Sequence, residues 1–125
     1  MARAVEQYLD SLTKQDWAGL ASTLEGTEFE RIGPFQDIVS TKDEYVAFLE
    51  RVVSPLEDYK VVPQRSTEGD SVVYAEVVES FGYGGQKMSY PEVLVFDLTA
   101  SGLINRVQVY MMRPGEEPPV PGAKA

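Results

Sequence analysis

An α+β fold, three helices laid over a curved, cone-shaped antiparallel sheet, is what the sequence predicts, on three observations. Before Pro55 the long apolar patterns repeat at helical spacing, after it the period changes to the alternation of strands, and turn-forming clusters cut this second part into four long extended stretches. Helices covering one face of a strongly bent sheet leave a conical cavity, with a floor made from alternate residues of the long strands.

Val5, Tyr8, Leu9 and Leu12 share one helical stripe, so about Arg3 to Thr13 reads as an amphipathic helix. Asp16 is a good N-cap for a second helix, whose apolar face would be Trp17, Leu20, Ala21 and Leu24 and whose end would lie near Gly26. Trp17 is read as its anchor. Thr27 to Ile32 alternate as a short strand, broken at Gly33-Pro34, with a second short extended piece beyond. Ser40 or Thr41 then caps a third helix with Tyr45, Phe48, Leu49, Val52 and Val53 on one face, and Pro55 stops it. The strands follow at Tyr59–Thr67, Ser71–Phe81, Lys87–Leu98 and Leu103–Met112, joined by "EGD", "GYGGQ" and "ASG". The glycines of "GYGGQ" serve a hairpin, because no helix follows to offer its N-terminus to a phosphate. The domain is expected to span residues 1–113, and the Pro/Gly-rich residues 114–125 to form an extended or mobile tail.

A chain of 125 residues, 43% hydrophobic and 25% charged, is sized for one core. Its net charge of −9 repels phosphate backbones, so no nucleic-acid partner is expected. With no cysteine and no histidine, thiol chemistry and the commonest base and zinc ligand are excluded, so acid or base work falls to Asp, Glu, Tyr or Lys. No metal-ligand spacing is visible and no cofactor is required. No stretch approaches the roughly 20 apolar residues that span a bilayer, and Glu6 and Asp10 interrupt what a secretory signal would need. No membrane partner and a cytoplasmic location are the expectations.

One short segment carries a chemical signal. In "SYPEVLVFDL" alternation sets Tyr90, Glu92, Leu94 and Phe96 on one face, so a carboxylate stands among large apolar side chains. By parity Met88, Tyr90, Leu94, Phe96, Val107, Val109 and Met111 would line the cavity, a set suited to a small apolar molecule and equally to plain core. Glu76 and Glu79 fall on opposite faces of one strand, and only one can look inward. The other face, with Val93, Val95 and Tyr110, would expose apolar area unless a second copy covers it, which predicts a homodimer.

The element order, "VEQYLDSLTKQDWAGLASTL" at the front, the "GPF" bend and the ending "VLVFDLTASGLINRVQVYMM" resemble the nuclear transport factor 2-like superfamily, in its SnoaL-like polyketide-cyclase and ketosteroid-isomerase branch. The resemblance covers about residues 3 to 113 and implies a cystatin-like α+β barrel. It also implies a range of activities, from isomerases, cyclases, dehydratases and epoxide hydrolases to members without catalysis. Tyr8 stands where the isomerases resemble one another in an oxyanion-binding tyrosine, and Glu92 where they carry a protonated aspartic acid. The resemblance implies a base just before the "PF" of the bend, where this chain has Gly33; Asp37 and Glu30 are the carboxylates nearest to it. The Asp-Arg-Asp arrangement of the epoxide hydrolases is not found in the sequence.

Each of these residues also has a structural role open to it. Tyr8 is on an apolar stripe as core residues are, Asp37 is at a bend where aspartate shapes turns, Glu30 could face solvent, and Glu92 could pair with Arg31 or Arg65. Two readings therefore stand: a pocket for a small, largely apolar carbonyl compound, with isomerase or cyclase chemistry by proton transfer at a Tyr8/Glu92 oxyanion hole, and a non-catalytic binding or dimeric structural module of the same fold.

Overall fold

Helix α1 (Arg3–Lys14) and helix α2 (Trp17–Ala21) lead into strands β1 (Glu30–Ile32) and β2 (Ile38–Ser40), helix α3 (Lys42–Val53), and strands β3 (Glu57–Gly69), β4 (Val72–Tyr83), β5 (Gln86–Leu98) and β6 (Ile104–Met111). This is a computed structural model, and it describes residues 1–113 and Gly115. The tail expected over 114–125 lies, Gly115 apart, outside the described residues.

All six strands join one curved open sheet in the order β2-β1-β6-β5-β4-β3. The β3 to β6 meander is antiparallel throughout. Gly84 and Gly85 form the two-residue β4–β5 turn with φ of 57° and 80°, the left-handed values that such a hairpin requires.

Local signals explain the helices. Asp16 accepts from the Gly19 N–H at 2.9 Å to start α2, and Thr41 accepts from the Glu44 N–H at 3.2 Å to start α3. Helix α2 ends earlier than its apolar pattern predicts. The chain leaves it to meet the sheet: Ile104 N–H donates to Thr23 O and Glu25 N–H to Ile104 O, both at 2.8 Å, with Leu24 bridged to Ile104.

The pairing of β1 decides the site. It runs parallel to β6 and antiparallel to β2, a non-local pairing that no local pattern encodes. Arg31 is level with Val107, which is fully buried on the concave side, and Glu30 is level with Arg106. Helices α1 and α3 cover the concave face over a core that includes Val5, Leu20, Val73, Val77, Phe96 and Ile104. On the convex face Val62, Tyr74, Tyr110 and Met112 are exposed. Val95, expected to be exposed there, is instead buried, flanked directly by Tyr74 and Gln108 on the adjacent strands.

Candidate active site

Three tyrosines, two glutamates and one arginine converge on a cavity of about 270 Å³ between the helices and the concave face of the sheet. Two larger and more open grooves, of about 790 and 700 Å³, lie on the surface, and neither gathers such groups.

Tyr8 comes from α1 and Tyr45 from α3, each on its helix's buried stripe and each only 2% exposed. Their hydroxyls are hydrogen-bonded to one another. The Tyr8 ring meets Phe96 edge-on at 5.1 Å, and Tyr45 stacks on Phe29 at 5.1 Å, so both rings are held by packing. A hydroxyl pair uses one hydrogen internally, which leaves the other to donate into the cavity. Burial first, and then the Tyr45 partner, raise Tyr8 well above the ordinary tyrosine range; burial likewise pushes Tyr45 up to about 12. Both are neutral donors at any physiological pH.

Glu79 is the inward one of its pair. Val73, Ala75 and Val77, which share its parity on β4, are all buried, whereas Glu76 turns outward to Arg65. Tyr59 donates its hydroxyl to Glu79 Oε2 at 2.5 Å. Glu92 lies diagonally across, since Val77 is its direct neighbour on β4 and Tyr90 is that of Glu79. Glu92 is 7% exposed, and its Oε2 has no hydrogen-bond partner among the described residues. Burial first, and then the adjoining Glu79 carboxyl, push the Glu92 carboxyl up to about 9 against the opposing pull of Arg31. Glu92 is therefore a carboxylic acid at neutral pH.

Arg31 completes the ring. Its side chain is 11% exposed, Nη1 donates to Asp37 Oδ2 at 2.7 Å, and the guanidinium lies 4.9 Å over the Phe48 ring. It pairs with neither inward glutamate, so Glu92 has no ion pair with Arg31 or Arg65. Leu12, Phe48, Leu49, Leu56, Leu94 and Val109 supply much of the apolar wall.

Several sequence expectations are corrected by this geometry. Glu30 points away from the cavity, with Arg106 at 3.5 Å, because its neighbour Arg31 takes the inward position. Asp37 is not among the lining residues; it accepts from Arg31 and, at 3.3 Å, from the Phe35 N–H. Burial acts to raise the Asp37 carboxyl, but its own backbone N–H, Arg31 and the Phe35 N–H outweigh that and hold it below its ordinary value. Of the expected lining set, Leu94, Val109 and Met111 reach the cavity. Phe96 and Val107 are fully buried core, while Met88 and Tyr90 do not line the cavity: they lie toward the β4–β5 hairpin, where the Tyr90 hydroxyl donates to the Met88 sulfur at 3.4 Å. Tyr8 and Glu92 do line it.

Sequence pattern alone gives Tyr45 only a place on a helix face and Tyr59 only a place in a strand, leaves the inward one of Glu76 and Glu79 open, and offers Arg31 as an ion-pair partner. Parity carried a usable signal for two of them. Arg31 alternates in phase with buried Phe29, and Glu79 with Val73, Ala75 and Val77. Among the described residues no group of three or more acidic, histidine or cysteine side chains is placed to hold a metal, and no helix is long and apolar enough to cross a membrane.

The structure is similar to that of a SnoaL-like polyketide-cyclase candidate from Shewanella denitrificans, with 12% identity, 88% of each chain covered and a TM-score of 0.79. It is similar also to an LEH-like epoxide hydrolase from Mycobacterium tuberculosis (19% identity, 89% of this chain and 81% of that one, TM-score 0.78). A ketosteroid isomerase candidate from Kribbella flavida compares likewise (18% identity, 95% and 82%, TM-score 0.74). At these identities the likeness is one of fold. No curated protein matches the sequence. Residues 5–107 match the family model of the SnoaL-like domain, and the chain belongs to that family.

Proposed function

We propose that the cavity binds a small, largely apolar carbonyl compound and moves a proton at the carbon next to the carbonyl. The observation that carries this reading is that a buried, neutral Glu92 lines one mostly apolar cavity together with Glu79 and the Tyr8/Tyr45 hydroxyl pair. Glu79 takes the proton from carbon as the C–H bond breaks. The electron pair moves onto the carbonyl oxygen, and the enolate receives hydrogen bonds from the Glu92 carboxylic acid and the free hydrogen of the Tyr8/Tyr45 pair. Return of the proton to the same carbon exchanges it, and return to the γ carbon of an unsaturated ketone completes an isomerisation; attack of the enolate carbon on a second carbonyl, with the new alkoxide taking the proton held by Glu79, would complete a cyclisation. At about 270 Å³ the space lies just below the roughly 300–1,000 Å³ of common ligand sites, so it suits one ring with a short chain.

The base in this reading is Glu79 and not Asp37 or Glu30, since only Glu79 lines the cavity. The test is exchange of the α-hydrogens of benzylacetone in deuterated buffer. Exchange above background that is lost in Glu79→Gln supports the reading. Binding without exchange would favour the second one, a non-catalytic pocket, for which Gly33 at the position of the family's base speaks.

A further inference from the structure

We propose that Arg31 is an anion-binding residue, and that the cavity's ligand is a small carbonyl compound that also carries a carboxylate. The proposal rests on the reading of the cavity as a small-molecule site and names the class of molecule.

Arg31 is the one basic residue among those lining the cavity. One side of its guanidinium is occupied: Nη1 holds Asp37, and the plane rests on Phe48. Its Nε is buried and finds no acceptor among the described residues. A buried, charged N–H left without an acceptor is costly, and a planar guanidinium fixed by a carboxylate on one side presents its remaining donors in the geometry that suits a second carboxylate. Neither inward glutamate supplies that acceptor, because the only ion pair Arg31 makes within the described residues is with Asp37.

Gly33 is an independent observation. A Cβ built there would lie 2.6 Å from Arg31 Nη1 and 2.4 Å from Asp37 Oδ1. The absence of a side chain at 33 is thus what admits the Arg31–Asp37 pair at the edge of the cavity. The space in which the resemblance led us to expect a carboxylate base is given instead to a cation and the group that holds it. The guanidinium's field also favours the charged forms of Tyr8, Tyr45 and Glu92, which sets the cation and the proposed donors around one common space. A ligand with its carboxylate on Arg31 would direct its carbonyl toward those donors.

The test compares phenylpyruvate with its methyl ester, a pair alike in shape and differing in charge, by calorimetric titration of the intact protein. The acid is expected to bind about tenfold or more tighter than the ester, and Arg31→Gln to remove that preference by weakening the acid more than the ester. Arg31→Lys should keep a reduced part of it. Equal affinity for acid and ester, tighter ester binding, or binding of neither overturns the proposal, and the wild-type comparison decides this even if Arg31→Gln fails to fold. Exchange of benzylacetone hydrogens is read separately. Exchange without acid preference sinks the role of Arg31 alone, whereas acid preference without exchange sinks the proton-transfer reading alone.

Discussion

Replacing Glu92 with glutamine should make the protein more stable at neutral pH, and the size of the gain follows from the site. The folded Glu92 carboxyl stands at about 9, against an ordinary value of 4.5. A carboxyl raised in the folded state keeps its proton there while the unfolded chain releases it. Its stabilising effect is therefore fully present below the unfolded value and is lost as pH rises through the folded one. Between pH 4.5 and 9 the wild type should lose up to about 1.4 kcal/mol of stability per pH unit from this group. At pH 7 the accumulated loss is about 3 kcal/mol. Glutamine has the shape of the protonated acid and does not titrate, so Glu92→Gln should match the wild type near pH 4.5 and exceed it by about 3 kcal/mol at pH 7. Urea denaturation of both proteins at several pH values between 5 and 8 measures this directly. Curves that stay parallel over that range would refute the reasoning, because they would mean that Glu92 is ionised and solvated in the folded protein.

Tyr8→Phe removes one member of the hydroxyl pair; it should cost about 1–3 kcal/mol, since it leaves the buried Tyr45 hydroxyl unpartnered, and should slow benzylacetone exchange roughly a hundredfold. Exchange itself should decline as pH rises through about 9, where Glu92 gives up the proton it donates; a rate that keeps climbing relative to buffer would argue against Glu92 as the donor. Gly33→Ala should destabilise by about 1–3 kcal/mol through collision with Asp37 and Arg31, and the loss should shrink when Asp37→Ala is present as well, which thermal melts of the single and double variants can read. We also propose that the convex face, with exposed Val62, Tyr74, Tyr110 and Met112, is covered by a second copy; light scattering should give a dimer at micromolar concentration and a monomer for Tyr110→Glu.

How much of this could be read in the sequence depended on whether a feature was local. The four long strands were legible because alternation and the "GYGGQ" and "ASG" turns are local signals, α1 because its apolar stripe is, and α3 because its stripe and its Thr41 cap are. Helix α2 was read too long. Leu24 continues its apolar spacing, but the hydrogen bonds to Ile104 that end the helix come from a residue 80 positions away. The inward direction of Arg31 was open to parity, through its phase with Phe29, but its place in the cavity depends on the parallel pairing of β1 with β6, which is non-local. Tyr8 and Glu92 could be singled out from helical phase, strand parity and resemblance. Their companions Tyr45 and Tyr59 could not be told from core aromatics, because what distinguishes them is a hydroxyl contact made across the cavity.

The most direct test of the account is a carbon-detected NMR titration of the Glu92 side-chain carboxyl, assigned by the loss of its signal in Glu92→Gln. A midpoint near 9 is predicted. A midpoint near 4.5 would contradict the account, since Glu92 would then be ionised at neutral pH and could not donate a proton to the ligand.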